Sequence, residues 1–437
     1  MNEKIGDRPL VVVVGGGFGG LNVVQGLREV PVRILLVDKR NHHLFQPLLY
    51  QVATASLSAD NIATPIRKIL RKQENVAVGL VELPGADLDQ KIIFGPGGGE
   101  RQYDYLVIAT GMEQAYFGHD EYKPFAPGLK DLNDAVEIRR RILLAFEEAE
   151  FELDEESRRG KLTFVVVGGG ATGVELAGAI IETATKSIPN DFRFVDTRTA
   201  RVILVEGGDH LLAGMPEEMG EQAQRDLENM GVEIRLDSYV TAVDDVGVMI
   251  GEERVLAENV LWAAGVQGTS FVRSLGVEMD RAGRIKVGPD LSIPGHPEAF
   301  VVGDAAYTLD AKTGQPVPGV AQGAIQMGQL VADIIRDDLE GVPVEDRPAF
   351  SYCDKGSMAT IGRGKAVAWV NDRLLKGLLG WLAWGVVHVM FLVGYRNRIT
   401  VMLEWVWSYF AYERGARLIT GSAEVKVKEV RGINFHN

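Results

Sequence analysis

Short apolar runs, each closed by glycine or an acid, recur along this chain at 10–14, 32–37, 105–108, 162–167, 201–205, 260–264 and 299–302. Runs of this length bounded by turn residues predict strands buried in parallel sheets. Between them, residues 19–29, 132–152 and 320–340 carry helical periodicity. Residues 76–83 and 91–94 alternate instead, and are expected to be antiparallel strands turned at Pro84-Gly85 and at 95–99. The charged helix 132–152 caps or links domains, and 185–200 lengthens one crossover. Strands alternating with helices give an α/β chain of two Rossmann-like domains, the second inserted into the first. The expected boundaries are 1–115 with 266–345 for one domain and 116–265 for the other, leaving 346–437 as a C-terminal region.

Two of the strands run into the same glycine pattern, 153 residues apart. Leu10-Val-Val-Val-Val14 precedes Gly15-x-Gly17-x-x-Gly20, and Leu162-Thr-Phe-Val-Val-Val167 precedes Gly168-x-Gly170-x-x-Gly173. A strand, a glycine turn and a helix start are the context that a dinucleotide-binding fingerprint requires. The first glycine makes the turn, the second admits the pyrophosphate to backbone N–H groups, and the third lets helix and strand pack closely. Each unit also has an acid at the end of its next strand. Asp38 stands 18 residues after Gly20, the expected spacing for a ribose ligand, whereas Glu206 stands 33 residues past Gly173. Two dinucleotides in one chain point to electron transfer between them.

Composition narrows the acceptor. A hydrophobic content of 46% and a charged content of 24% describe an ordinary globular protein of two or three domains. The single cysteine, Cys353, excludes an internal disulfide, a multi-cysteine metal site and the cysteine pair of disulfide reductases. Its plain reading is a small packing or surface thiol. No metal site is expected. A net charge of −14 argues against nucleic acid, yet residues 355–437 hold 12 Lys/Arg against 5 Asp/Glu, so a +7 tail follows a −21 body. Such asymmetry suggests an anionic surface as partner. The polar residues 1–9 lead straight into a strand, with no signal peptide, so the N-terminus reads as cytosolic.

The tail is also aromatic. Five of the six tryptophans follow residue 360, and 377–395 contains no formally charged residue. At 19 residues it is long enough to span a bilayer. His388, four glycines and basic flanks (Arg373, Lys376, Arg396, Arg398) argue instead for a helix lying in the headgroup layer. The next stretch, 399–412, is interrupted by Glu404. A dimer face is the other use for such an aromatic surface.

This arrangement resembles the two-dinucleotide-binding-domain flavoproteins, whose marks here are both fingerprints, Ala109-Thr-Gly111 and Val301-Val-Gly-Asp304. Within them it resembles the type II NADH dehydrogenases (NADH:quinone oxidoreductases). The narrower match rests on Leu44-Phe-Gln-Pro-Leu-Leu-Tyr-Gln-Val-Ala-Thr54, Ala321-Gln-Gly-Ala-Ile-Gln326 and the aromatic end at 381–418. The resemblance implies a tightly bound, non-covalent FAD in the first domain. Its partners would be Gly15, Gly16, Gly17, Phe18, Gly19, Gly20, Asp38, Lys39, Val81, Thr110, Gly111, Asp304, Ala321 and Gln322. A helix N-cap is the alternative for Asp304.

NADH would occupy the second domain at Gly168, Gly170, Gly173, Glu175, Glu206 and Gly265. Glu206, followed by Gly207-Gly208-Asp209 with no Arg, favours NADH over NADPH. Glu175 would be catalytic beside the nicotinamide and flavin; the alternative is a first-turn acid favouring the helix dipole. Gln322 and Gln326, four apart on one helix face, would serve the quinone. Without the resemblance they read as exposed helix residues. The implied reaction passes a hydride from NADH to FAD N5 and then reduces a membrane quinone, without proton pumping. This is respiratory electron transport at the cytoplasmic face of the cell membrane by a peripheral enzyme, with a homodimer as a further expectation. The rival readings are a soluble NADH-dependent reductase of a small redox protein and a redox-responsive regulatory flavoprotein.

Overall fold

A computed structural model describes residues 8–411 and 415–420. The chain is α/β and divides into two compact units. The first comprises Met1–Leu44, Thr64–Glu113 and Val266–Lys355; the second comprises Phe45–Ala63, Gln114–Gly265 and Gly356–Asn437. The division differs from expectation in two places. Phe45–Ala63 groups with the second unit, and so do residues from Gly356 onwards, whereas 346–355 stays with the first.

The first unit is built on a six-stranded sheet. Its order is Ser292–Ile293, His296–Val301, Tyr105–Ile108, Leu10–Val14, Arg33–Asp38, Val76–Leu80. Leu10–Val14 is buried at every position, because parallel neighbours flank it on both edges and its side chains belong to the core of this unit, together with residues of the helices Phe18–Gly26 and Ala321–Leu339 and of the antiparallel strands near Ile93. Val76–Leu80 corrects the sequence reading. It pairs parallel with Arg33–Asp38, as the edge strand of this sheet, and not antiparallel. Its alternation reflects an edge strand half open to solvent, which period alone does not distinguish from a hairpin strand. Ile92–Phe94 is antiparallel as expected, between Gly85–Asp87 and Glu100–Gln102. The helix Ala321–Leu339 packs on Phe18–Gly26, the helix that follows the first glycine turn.

The second unit repeats the plan on four parallel strands in the order Val232–Arg235, Arg201–Val205, Thr163–Val167, Asn259–Trp262. The charged helix spans Leu132–Phe151 and is started by Asp131, whose side chain accepts from the N–H groups of Asn133 and Asp134. The C-terminal part opens as an antiparallel meander, Ser357–Gly362, Lys365–Val370 and Arg373–Lys376. The meander packs against the glycine-turn helix Ala171–Glu182. Two helices follow, Gly377–Phe391 and Tyr395–Ala411. Among the described residues, no helix is long and apolar enough to cross a membrane.

Candidate active site

The two glycine turns form matching cradles. At the first, Gly15 adopts φ +107°, and a Cβ there would lie 2.3 Å from the Ala109 carbonyl oxygen. A Cβ on Gly20 would lie 1.9 Å from the oxygen of Gly15, so no larger residue permits this approach of helix to strand. The Gly16 N–H donates to Asp38 Oδ2 at 2.6 Å and the Arg40 N–H donates to Oδ1 at 2.7 Å. Asp38 is thereby fixed at the end of its strand by both oxygens. The helix beginning at Phe18 has no side-chain cap, and open space surrounds the Cβ direction of its capping residue Gly17. An uncapped helix start beside an oriented carboxylate suits a pyrophosphate and the ribose attached to it.

The second cradle reproduces this in register. Gly168 also has φ +107°, and a Cβ on Gly173 would fall 1.8 Å from the oxygen of Gly168. The Gly169 N–H donates to Glu206 Oε2 at 2.5 Å, and the Gly208 N–H to Oε1 at 2.7 Å. Gly170 caps the helix Ala171–Glu182 without a side-chain bond. The longer spacing to Glu206 is absorbed by the crossover, through the helical turns Thr183–Ser187 and Thr197–Thr199. The carboxylate therefore reaches the same place as Asp38.

The remaining candidates of the first unit gather around its cradle. The Val81 N–H donates to the Asp38 carbonyl at 2.9 Å, and Lys39 lies 3.5 Å from Glu82 in an exposed ion pair. Gly111 has φ +64°, and the Thr269 hydroxyl reaches Thr110 Oγ1 at 3.2 Å. Asp304 sits in the single turn Gly303–Ala305 and is not the cap of the following helix, which starts at Ala321 behind Val320 with no side-chain cap. Gln322 and Gln326 are half-buried rather than exposed. Gln322 Oε1 accepts from the Lys355 N–H at 3.1 Å. Gln326 pairs with both backbone groups of Cys353, donating at 3.0 Å and accepting at 2.8 Å. Both amides thus hold the segment leading out of this unit.

In the second unit, Gly265 has φ +73° and its carbonyl accepts from Gln114 Nε2 at 2.8 Å. Glu175 lies beyond the first turn of its helix, so the dipole reading does not apply. Its carboxyl is pushed well above the usual range by desolvation, which one long bond from the Thr360 N–H, at 3.4 Å, only partly offsets. Thr360, 185 residues away, carries no sequence signal for this contact. Farther along, Trp405 Nε1 donates to Gln51 Oε1 and Gln51 Nε2 to the Tyr50 hydroxyl, each at 2.8 Å. His388 stacks on Trp384 at 4.4 Å, bonds its carbonyl at 2.7 Å and meets the Phe45 ring edge-on at 6.1 Å. The motif 44–54 is therefore a seat for the C-terminal helices.

Comparison with known proteins places this geometry in a family. Residues 9–328 match the family model of the pyridine nucleotide-disulphide oxidoreductases. The chain is 44% identical over 425 residues to the type II NADH:quinone oxidoreductase Ndh of Mycobacterium tuberculosis, covering 94% of this chain and 90% of that one. It belongs to the type II NADH:quinone oxidoreductase family. The companion enzyme NdhA of the same organism is also 44% identical, with coverages of 96% and 91%. Among solved structures, NDH2 from Plasmodium falciparum, in complex with NADH, shares the fold with a TM-score of 0.85 at 20% identity, covering 95% of this chain and 100% of that one. The sulfide:quinone oxidoreductase of Aquifex aeolicus also shares the fold, with a TM-score of 0.71 at 20% identity, covering 92% and 95%. The family couples NADH oxidation to quinone reduction through FAD.

Proposed function

We propose that this type II NADH:quinone oxidoreductase holds FAD on the cradle of Gly15 to Gly20 and NADH on that of Gly168 to Gly173. The observation that carries the reading is the repeated pair of oriented carboxylates, Asp38 and Glu206, each beside an uncapped helix start. When bound, FAD supplies the hydride acceptor and the two-electron relay between donor and quinone. Asp38 accepts from the adenosine ribose of the flavin, flanked by Lys39 and Val81. Thr110, Gly111 and Asp304 would hold the rest of the flavin, with the uncapped N–H groups at Ala321 and Gln322 as further donors to it. Glu206 accepts both ribose hydroxyls of NADH and repels a 2′-phosphate. Glu175, whose carboxyl desolvation pushes well above the usual range, would lie near the nicotinamide, where a raised carboxyl sets less negative charge at neutral pH. Gln322, and Gln326 through the Nε2 hydrogen that does not bond Cys353, would donate to the quinone carbonyls.

The quinone enters from a membrane on which the enzyme rests as a peripheral protein. Support comes from the faces of the last two helices. Leu378, Leu382, Val386 and Met390 recur every fourth residue and are 49–64% exposed, while Trp384 on the opposite face is 1% exposed. Ile399, Met402, Leu403, Val406 and Trp407 make a second exposed apolar stripe. Basic residues flank these helices, as an anionic bilayer at the cytoplasmic face requires. A second copy of the chain is the competing cover for the same stripes.

The absorption spectrum of the purified protein tests the reaction. Flavin bands should bleach when NADH is added anaerobically and return on adding a soluble quinone. Bleaching that no quinone reverses would remove the quinone assignment.

A further inference from the structure

One aromatic side chain beside the second cradle is largely exposed. Tyr239 is 68% exposed, yet its ring lies against Gly207, the residue after Glu206. A Cβ on Gly207 would come within 2.7 Å of the ring, so the absence of a side chain is what lets the ring lie on this backbone. The backbone that carries the ring is also held in place. Residues 236–239 follow the strand Val232–Arg235, neighbour of the Glu206 strand, and are laced to the acid's own loop. The Asp237 N–H donates to the Gly208 carbonyl at 2.9 Å, and the Ser238 N–H donates to that of Glu206 at 3.0 Å. Asp237 adopts φ +50°, which turns the chain so that Tyr239 faces the loop, and the Tyr239 carbonyl accepts from the Gly251 N–H at 2.9 Å. Beyond the ribose that Glu206 receives, the next group of an adenine dinucleotide is the base itself. A flat π-face fixed one residue past the ribose acid is a platform for it.

We infer that Tyr239 stacks on the adenine of the bound nicotinamide dinucleotide and acts as an affinity determinant for the donor. The assignment rests on the reading of the second cradle as the NADH site. Tyr239 contributes nothing to hydride transfer, because the adenine lies at the far end of the dinucleotide from the nicotinamide.

The test uses the full-length holoenzyme and ADP-ribose, which carries the adenosine and pyrophosphate but no reacting ring. Tyr239→Ala should weaken ADP-ribose binding, measured by calorimetry, by about 5- to 20-fold, and Tyr239→Phe should restore it to within about 2-fold of wild type. The limiting rate of flavin bleaching at saturating NADH should not change. With reduced nicotinamide mononucleotide, which lacks adenine, Tyr239→Ala and wild type should react alike. A Tyr239→Ala protein that binds ADP-ribose as wild type does, while NADH still bleaches the flavin, overturns the stacking role alone. A wild-type protein that neither binds ADP-ribose nor reacts with NADH overturns the donor site, and this assignment with it.

Discussion

Glu206 and Glu175 show how the same residue type takes opposite roles from its surroundings. Glu206 has both oxygens on backbone N–H groups, which hold the carboxylate in place and aim its remaining lone pairs outward. Glu206→Ala should raise the KM for NADH by about 10-fold or more, from the loss of charge-assisted bonds to ribose. The preference over NADPH should shrink in the same steady-state comparison. Glu175 is desolvated instead, and in the fold it keeps its proton to a higher pH than the ordinary value of 4.5. The native state then binds more protons than the unfolded chain above about pH 4.5, so this residue's contribution to stability falls as pH rises. Glu175→Gln preserves the neutral shape. Urea unfolding between pH 5 and 8 should show wild type losing stability relative to the variant as pH increases; parallel curves would contradict the upward shift of this carboxyl.

At the scale of elements, the meander and the helix Ala171–Glu182 meet backbone to backbone. A Cβ on Gly178 would lie 1.8 Å from the Ile361 carbonyl oxygen, and the Arg363 N–H donates to Glu182 Oε1 at 3.2 Å. Gly178→Ala must push a strand away, and a loss of about 2 kcal/mol or more in urea unfolding is expected. The same interface sets Glu175 against Thr360, so the variant should also weaken the pH dependence described above. The helix Gly377–Phe391 has its own titrating group. Burial holds His388 down at about 4, against an ordinary 6.5, with the bond to the Trp384 carbonyl opposing it. Neutral His388 thus contributes stability that is whole above pH 6.5 and is lost as pH falls toward 4, by up to about 3 kcal/mol. His388→Phe should flatten that acid limb, as read from unfolding curves at pH 5 and pH 7.

For the molecule as a whole, the exposed apolar stripes separate chemistry at the cradles from delivery of the quinone. Leu382→Glu combined with Met390→Glu places charges on side chains 49% and 64% exposed, where the fold tolerates them. Flotation with anionic vesicles should be lost while NADH-to-ferricyanide turnover remains, and turnover with vesicle-borne quinone should fall with the binding. Unchanged flotation would leave the stripes to a second copy of the chain.

The sequence by itself determined what depends on neighbours along the chain. Both strand–glycine–helix turns, the acids Asp38 and Glu206, and the aromatic tail are local patterns in which sterics or periodicity permit few alternatives. Period misled at Val76–Leu80, because an edge strand of a parallel sheet alternates like a hairpin strand. Tertiary structure alone decided the contacts between distant segments. It put 45–63 with residues from Gly356 onwards, gave Gln51 to Trp405, turned Gln326 onto Cys353, and set Thr360 beside a desolvated Glu175. The reason is physical. A fingerprint is specified by the backbone conformation of a few consecutive residues, whereas burial and hydrogen-bond partners depend on which segments the fold packs together, and nothing in local spacing encodes that.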